Sequence, residues 1–336
     1  MQVLDNIMER AKKARKRIVL CEGDDPRVLK AAVRAAQDGI ADISLVGERA
    51  KIETTAADNN LSLDAITLLD PAESSLTPSL VEALYQLRHK KGMTHERAEH
   101  EVRKPLVFAD LLVRLEHADG SVAGAVHTTA DVVRSAIQIV GVKPGAKLVS
   151  SFFLMVMEEA HHQHKGGMIF SDCGLVIDPK AEELAEIAKA AADSASALLG
   201  EEPKVAMLSF STNGSAKHAA VDKVVEAARQ VKAERPELAI DEDIQLDAAI
   251  VPEIAQRKLP NSRVKGEANV LVFPDLEAGN IGYKLAERIG GAKAIGPMLQ
   301  GLAKPANDLS RGCSADDVYH VIAVTAVQAQ AVERDG

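Results

Sequence analysis

Short apolar runs alternate with longer helical patterns along this chain, and that alternation limits the folds it can adopt. Arg17-Ile18-Val19-Leu20-Cys21-Glu22-Gly23 has the character of a buried strand. Asp25-Pro26 follows as an N-cap with proline at the first helical position, and a helix continues over Val28 to Ala36. Ile43-Ser44-Leu45-Val46-Gly47 is the next strand. Further strands are expected at 65–69, 121–126, 147–153, 204–210, 247–251 and 270–273, with helices at 78–89, 94–102, 130–140, 180–198, 215–233, 280–289 and 315–332. Strands spaced by helices pair in parallel through crossover connections, which makes a layered α/β protein the expected fold class.

The 336 residues suffice for two domains. A break falls at Val142-Lys143-Pro144-Gly145, where a helical pattern stops and a strand begins. The last helix is expected to return to the first domain. Domain I is then 1–145 plus 304–336 and domain II is 146–303, with a ligand cleft between them. With no tryptophan and 3% aromatic residues, the core must come mainly from Ala, Val, Leu and Ile; the run from Ala188 to Ala197 suits a close-packed helix. A net charge of −9 offers no field for a polyanion, so nucleic-acid binding is not expected. An anionic substrate must instead be met by a local cluster of Arg and Lys. Cys21, Cys173 and Cys313 are odd in number and far apart, neither a disulfide framework nor a zinc spacing, and they suit a reducing compartment. No signal peptide is visible and no apolar run is long enough to span a bilayer, so the expectation is a cytoplasmic protein with no membrane partner.

Neither a Gly-x-Gly-x-x-Gly turn after a strand nor a Gly-x-x-x-x-Gly-Lys-Ser/Thr loop occurs, which disfavours dinucleotide binding and P-loop chemistry. The segment from Lys304 to Asp317 is different. It places a hydroxyl (Ser310), a guanidinium (Arg311), a glycine and several carboxylates just before a helix start. Arg311 can hold an oxyanion with paired N–H donors, and the free amides of the helix start add positive potential. Asp317, three residues after Ser314, reads either as the acid of a capping box or as a working carboxylate. Upstream, Val126 to Arg134 leads from a strand into a helix that Thr128 or Thr129 can cap. Arg134 lies among apolar neighbours and needs either a substrate anion or a nearby Asp. Arg88 to Met93 closes a helix with a basic cluster that complements the helix dipole or meets a phosphate-rich ligand such as coenzyme A. Ser209 to Lys217 is a polar strand-to-helix turn with accessible amides, a moderate anion signal. The tract His161-His162-Gln163-His164 has no second cluster at ligand spacing, so no metal is expected. Cys313 has no sequence-adjacent His to activate it and is expected to be inert.

These segments together resemble the phosphate acetyltransferase (phosphotransacetylase) family, in the short form without an N-terminal regulatory region. The likeness runs through Tyr85-Gln86-Leu87-Arg88, His127 to Arg134, Lys147 to Met155, Val205 to Ala216, Leu246 to Pro252, Ala268 to Leu276, Gly279-Asn280-Ile281, and Gln300 to Cys313. The resemblance implies a two-domain α/β/α architecture with mainly parallel sheets, like isopropylmalate dehydrogenase, and a homodimer. It implies reversible acetyl transfer between coenzyme A and phosphate, through a ternary complex and thiolate attack, with acetyl-CoA, phosphate and acetyl phosphate as substrates and no tightly bound cofactor. By the same likeness Ser310, Arg311 and Asp317 are catalytic, and Arg88, Thr129, Arg134 and Asn307 bind substrate. The His161 to His164 loop departs from relatives, and a cysteine that some of them carry there is missing. A phosphate butyryltransferase and a metal-dependent NAD(P) dehydrogenase on a related fold are the alternatives; a non-catalytic binding protein is a third.

Overall fold

A computed structural model describes residues 2–162 and 165–335. The chain opens with α1 (Gln2–Lys13), β1 (Arg17–Leu20), α2 (Pro26–Gln37), β2 (Asp42–Val46), α3 (Arg49–Asp58), β3 (Ile66–Leu69), α4 (Thr77–Arg88), α5 (His95–Val102), α6 (Pro105–Arg114), β4 (Gly120–Ala123) and α7 (Thr129–Ile139). It continues through β5 (Ser150–Met157), β6 (Gly166–Ser171), α8 (Ala181–Leu199), β7 (Lys204–Leu208), α9 (Ala219–Glu234), β8 (Ala239–Ile244), α10 (Leu246–Ile250), α11 (Pro252–Lys258), β9 (Val270–Val272), α12 (Leu276–Arg288) and β10 (Lys293–Gln300), and ends with β11 (Ala306–Asp308) and α13 (Ala315–Asp335). Two compact units result: a central unit of Met1–Leu4 and Gly145–Gly301, and a terminal unit of Asp5–Pro144 and Leu302–Gly336.

The terminal unit holds a five-stranded parallel sheet in the order β11-β4-β1-β2-β3. The order reverses at β1, since β2 and β3 extend to one side and β4 and β11 to the other. Local chemistry explains the element that follows β1. Asp25 caps α2 by accepting from the Arg27 amide, Pro26 supplies a fitted φ, and Val28, Leu29, Ala31, Ala32, Val33 and Ala35 form the buried stripe. The closing helix α13 packs on α2 and on β1, β4 and β11, so a segment distant in sequence completes this core.

The central unit holds a six-stranded sheet in the order β10-β5-β6-β9-β7-β8. The strands β6, β9, β7 and β8 are parallel, while β5 runs antiparallel to both β6 and β10. In α8, Ala185, Ala188, Ala191, Ala192 and Ala195 are buried, as a close-packed helix requires. Residues 247–251, expected as a strand, instead form most of the short helix α10. A short apolar run carries no period that separates the two states. Strand β8 escapes a hydropathy reading because Asp241 and Asp243 point inward, where Ser262 and Ser211 donate to them.

Candidate active site

The loops leaving β11, β4 and β1 lie side by side at the carboxyl end of the terminal unit's sheet. The reversal of strand order between β4 and β1 is where open α/β sheets bind ligands. In the loop after β1, Glu22 adopts φ of 65° and is 5% exposed. Its carboxylate accepts from the amides of Gly124, Ala125, Val126 and His127 at 2.8–3.2 Å and from His127 Nδ1 at 2.7 Å. Burial opposes its charge, but the bonds from His127 and Val126 outweigh this and hold the carboxyl below its ordinary range. His127 is correspondingly raised, chiefly by its bond to Glu22 and against the effect of burial. The turn into α7 is thus fixed by one buried anion.

Thr128 caps α7 by accepting from the Asp131 amide. The amides of Thr129 and Ala130 have no acceptor among the described residues, so they remain available to an oxyanion. Thr129 is exposed, yet its hydroxyl donates to Asp308 Oδ2 at 2.6 Å. Asp308 ends β11 and is fully buried, with no hydrogen-bond partner for Oδ1 among the described residues. It sits so close to Gly124 that a Cβ there would fall 2.2 Å from Oδ1, and Gly124 also has φ of 109°. Burial pushes the Asp308 carboxyl up to about 6; the Thr129 hydroxyl and the Leu309 amide oppose this, Glu22 adds to it, and Arg311 opposes it. Asp308 therefore joins the end of β11, from which the Ser310-Arg311 loop leaves, to the first residue of α7.

In the loop after β11, Ser310 and Arg311 are exposed. Ser310 Oγ accepts from the Gly312 amide at 3.3 Å, and the Arg311 guanidinium has no hydrogen-bond or ion-pair partner among the described residues. Arg27, at the start of α2, ties three loops together. It pairs with Asp25, donates to Ala125 O at 2.9 Å, and donates to the backbone oxygens of Arg311 and Cys313 at 2.7 and 3.1 Å. Cys313 is buried and its thiol is raised, first by burial, as expected of an inert cysteine.

The two acids at the start of α13 differ. Asp316 pairs with Arg34 at 2.7 Å. Asp317 Oδ2 accepts from the amide and hydroxyl of Ser314, and the Asp317 amide donates back to Ser314 Oγ at 3.2 Å. The capping box is therefore formed, with one Asp317 oxygen turned to the loop.

Other expected residues lie elsewhere. Arg134 is exposed and pairs with Asp131 at 2.8 Å. Arg88 is half-buried at the last turn of α4, in contact with neither α7 nor β11 through any hydrogen bond. Asn307 is 1% exposed, and its amide donates to Thr325 and Gln328 of α13, so its packing supports no contact with substrate. In the Ser209 to Lys217 turn, Asp243 accepts from the Gly214 amide and Ser211 Oγ accepts from the Ala216 amide, so part of the expected anion nest is already filled. His161 and His162 both reach Gly290 O at 3.0 and 2.8 Å; Gln163 and His164 lie outside the described residues.

Comparison with known proteins decides the kinship. The chain matches the family described as phosphate acetyl/butaryl transferase over residues 2–326. It is 49% identical to a phosphate acetyltransferase of Clostridium acetobutylicum over 98% of this chain and 99% of that one. The chain belongs to the phosphate acetyl/butaryl transferase family. Membership makes it an acyltransferase. The Escherichia coli relative named phosphate acetyltransferase is 46% identical over 96% of this chain and 44% of its own, longer length. Among solved structures, a Staphylococcus aureus phosphotransacetylase aligns with a TM-score of 0.91 at 42% identity over 98% of both chains. A putative 4-hydroxythreonine-4-phosphate dehydrogenase of Salmonella typhimurium aligns over 94% of this chain at a TM-score of 0.56 and 11% identity, which shows a shared fold and nothing more. The expected dehydrogenase-like α/β architecture is thus present in a phosphate acetyl/butaryl transferase. No helix among the described residues is long and apolar enough to cross a membrane.

Sequence reasoning missed Glu22, Arg27 and Asp308. Glu22 ends an apolar strand and Arg27 follows a helix cap, positions where charged residues are commonplace. Asp308 carried a usable signal: an acid in the same short segment as Ser310-Arg311, two residues before Ser310.

Proposed function

We propose that the chain is a phosphate acetyltransferase, interconverting acetyl-CoA plus phosphate with acetyl phosphate plus CoA. The observation that carries this reading is the Arg311 guanidinium, unpartnered among the described residues, on the loop after β11, beside the strand β4 whose own loop leads to the open amides at the start of α7. Both suit a phosphoryl oxygen or the carbonyl oxygen of an acyl phosphate. In the direction of acetyl-CoA formation, the thiolate of CoA attacks the acetyl carbonyl, the bond from carbonyl carbon to phosphate oxygen breaks, and phosphate leaves with the electron pair. Arg311 steadies the negative charge that develops, Ser310 donates to the same centre, and Thr129 with Arg134 holds phosphate oxygens. Arg134 would exchange Asp131 for the anion. Arg88 is assigned to the phosphates of CoA.

Asp317 takes the thiol proton. Moving a proton from a thiol near pKa 8.5 to an ordinary aspartate is uphill by about 6 kcal/mol, so the thiol must be acidified by the neighbouring cations or the acid raised when substrate excludes water. Holding both substrates in one ternary complex supplies much of the remaining acceleration. None of these steps moves electrons between redox states or requires a tightly bound cofactor or metal. Cys21, Glu22 and His127 do offer ligand atoms within 4.8 Å of one another, but the Glu22 carboxylate already accepts its hydrogen bonds from the turn and from His127.

The central unit supports a homodimer. Ile281 and Leu285 of α12 and Ile289 just past its end are 58, 52 and 80% exposed and recur every four residues, with the exposed Ile177 beside the helix start. A second copy covering this stripe would remove apolar surface that a monomer leaves in water. Free Cys21, Cys173 and Cys313 agree with the reducing cytoplasm. The deciding assay follows CoA-dependent loss of acetyl phosphate through the ultraviolet absorbance of the thioester; absence of turnover with either acetyl or butyryl substrates would overturn the proposal. The family description covers both acyl groups, so relative rates with acetyl-CoA and butyryl-CoA fix the chain length.

A further inference from the structure

Asp308 is not needed to hold its strand, because β11 pairs with β4 through backbone groups from Ala306 to Asp308. A fully buried carboxylate is costly unless its oxygens are satisfied, yet Oδ1 has no partner among the described residues. Its other oxygen meets the hydroxyl of Thr129, the first residue of α7, whose amide faces the place assigned to phosphate. The contact of 2.6 Å suits a hydrogen bond donated in either direction.

The charges around Asp308 bear on its proton. Glu22 lies on the loop after β1 and Arg311 on the loop after β11. His127, Asp131 and Arg134 surround the start of α7, Asp316 and Asp317 open α13, and β4 contributes no charged side chain. Arg311 is the cation that favours the ionised form of Asp308, and Glu22 disfavours it. A phosphate seated at Arg311 and the helix start engages that cation and adds a like charge. Both effects favour the neutral acid, in the same direction as the burial that pushes this carboxyl up to about 6.

We propose that Asp308 is a positioning residue that takes up a proton as an anion settles at the start of α7, reversing its hydrogen bond with Thr129 so that the Thr129 hydroxyl turns to the anion. Thr129 donates to the Asp308 carboxylate. With the proton on Oδ2, the acid donates to Thr129 Oγ1, and the hydroxyl hydrogen is released toward a phosphate oxygen. When the anion leaves, the proton returns to solvent. This rests on the reading that phosphate binds at Thr129 and Arg311, and it adds that binding is linked to one proton held at a named atom.

The test uses the full chain and sulfate, a tetrahedral anion that does not titrate near neutral pH. Sulfate binding is measured by calorimetry at pH 7 in two buffers of different ionisation enthalpy, which counts protons taken up. Uptake of a substantial fraction of one proton is expected, with affinity falling about tenfold between pH 5.5 and 8 for each unit by which the anion raises the acid. Asp308→Asn abolishes the uptake and flattens the pH dependence, and Thr129→Val weakens sulfate and reduces the uptake. Asp110→Asn, at a second buried acid bonded to Ser121 and Ser135, leaves the uptake in place. Sulfate binding without proton uptake, or uptake that survives Asp308→Asn or vanishes in Asp110→Asn, overturns the inference while leaving the phosphate site intact. Should Asp308→Asn not fold, the wild-type proton count and Thr129→Val still decide. No sulfate binding at all, or binding indifferent to Arg311→Ala, overturns the phosphate reading and this inference with it.

Discussion

Arg311 and Arg27, distant in sequence but joined by a hydrogen bond of 2.7 Å from the Arg27 guanidinium to the Arg311 carbonyl oxygen, have opposite duties. The Arg311 guanidinium has no partner among the described residues, while Arg27 bonds to the carbonyl oxygen of Arg311 itself and to those of Ala125 and Cys313. Removing the first deletes the group that meets developing charge. Arg311→Ala is therefore expected to lower kcat about a hundredfold or more with an unchanged melting temperature, and Arg311→Lys to recover little, because an ammonium lacks the planar fork. Near-normal turnover in Arg311→Ala would remove it from the mechanism. Removing Arg27 loosens the loop that aims Arg311. Arg27→Ala is expected to lower kcat by up to about a hundredfold. If instead only thermal stability falls, measured by calorimetry beside the steady-state rates, Arg27 is a brace with no bearing on the site. Sequence pattern could find Arg311, because its function is written in its neighbours Ser310 and Gly312. It could not find Arg27, whose partners other than Asp25 lie 98 to 286 positions away.

The helix α7 is held from below by two buried acids on different strands and helices of the same unit. Asp308 meets Thr129 at its first residue, and Asp110 accepts from Ser135 a turn and a half later, with Ser121 of β4 as its other donor. The turn before the helix is held by Glu22. Replacing that carboxylate, Glu22→Gln leaves amides of the turn without a matched acceptor, and a loss of about 1–3 kcal/mol is expected from chemical unfolding. The difference between wild type and variant should depend on pH. Glu22 is lowered from 4.5 in the folded state, so its contribution is complete above that value and fades as pH falls through the folded one. His127 is raised from 6.5, so its contribution is complete below that value and fades as pH rises through the folded one. The gap is expected to be widest between pH 4.5 and 6.5; a gap that does not vary with pH would mean that the pair is not linked to folding. Elements of this kind were legible where cap, proline and apolar stripe agree, as in α2 and α7. They were not legible where tertiary partners decide, as in β8 with its inward acids or β6, whose glycines Gly166 and Gly167 carry no hydropathy signal.

At the scale of the whole molecule, the apolar stripe on α12 predicts self-association. Leu285→Glu, at the middle of the stripe, is expected to shift sedimentation from dimer to monomer at micromolar concentration, with little change in secondary structure by circular dichroism. A wild type that sediments as a monomer would show that the stripe serves something else. The α/β layering was readable from alternation alone, and the two units are not consecutive halves of the chain, since β11 and α13 stand in the unit of the first sheet. The return is closed by short contacts within the terminal unit: Val142 bridges Leu302, and the Ala303 amide donates to Gly141 O at 2.9 Å. Entry and exit of the intervening 157 residues from Gly145 to Gly301 therefore leave from one spot. Such a stretch is topologically a guest: a short linker could join Pro144 to Leu302 without stretching the host, so sequence length within the guest is free to drift while the spacing of the three loops around Arg27 is not.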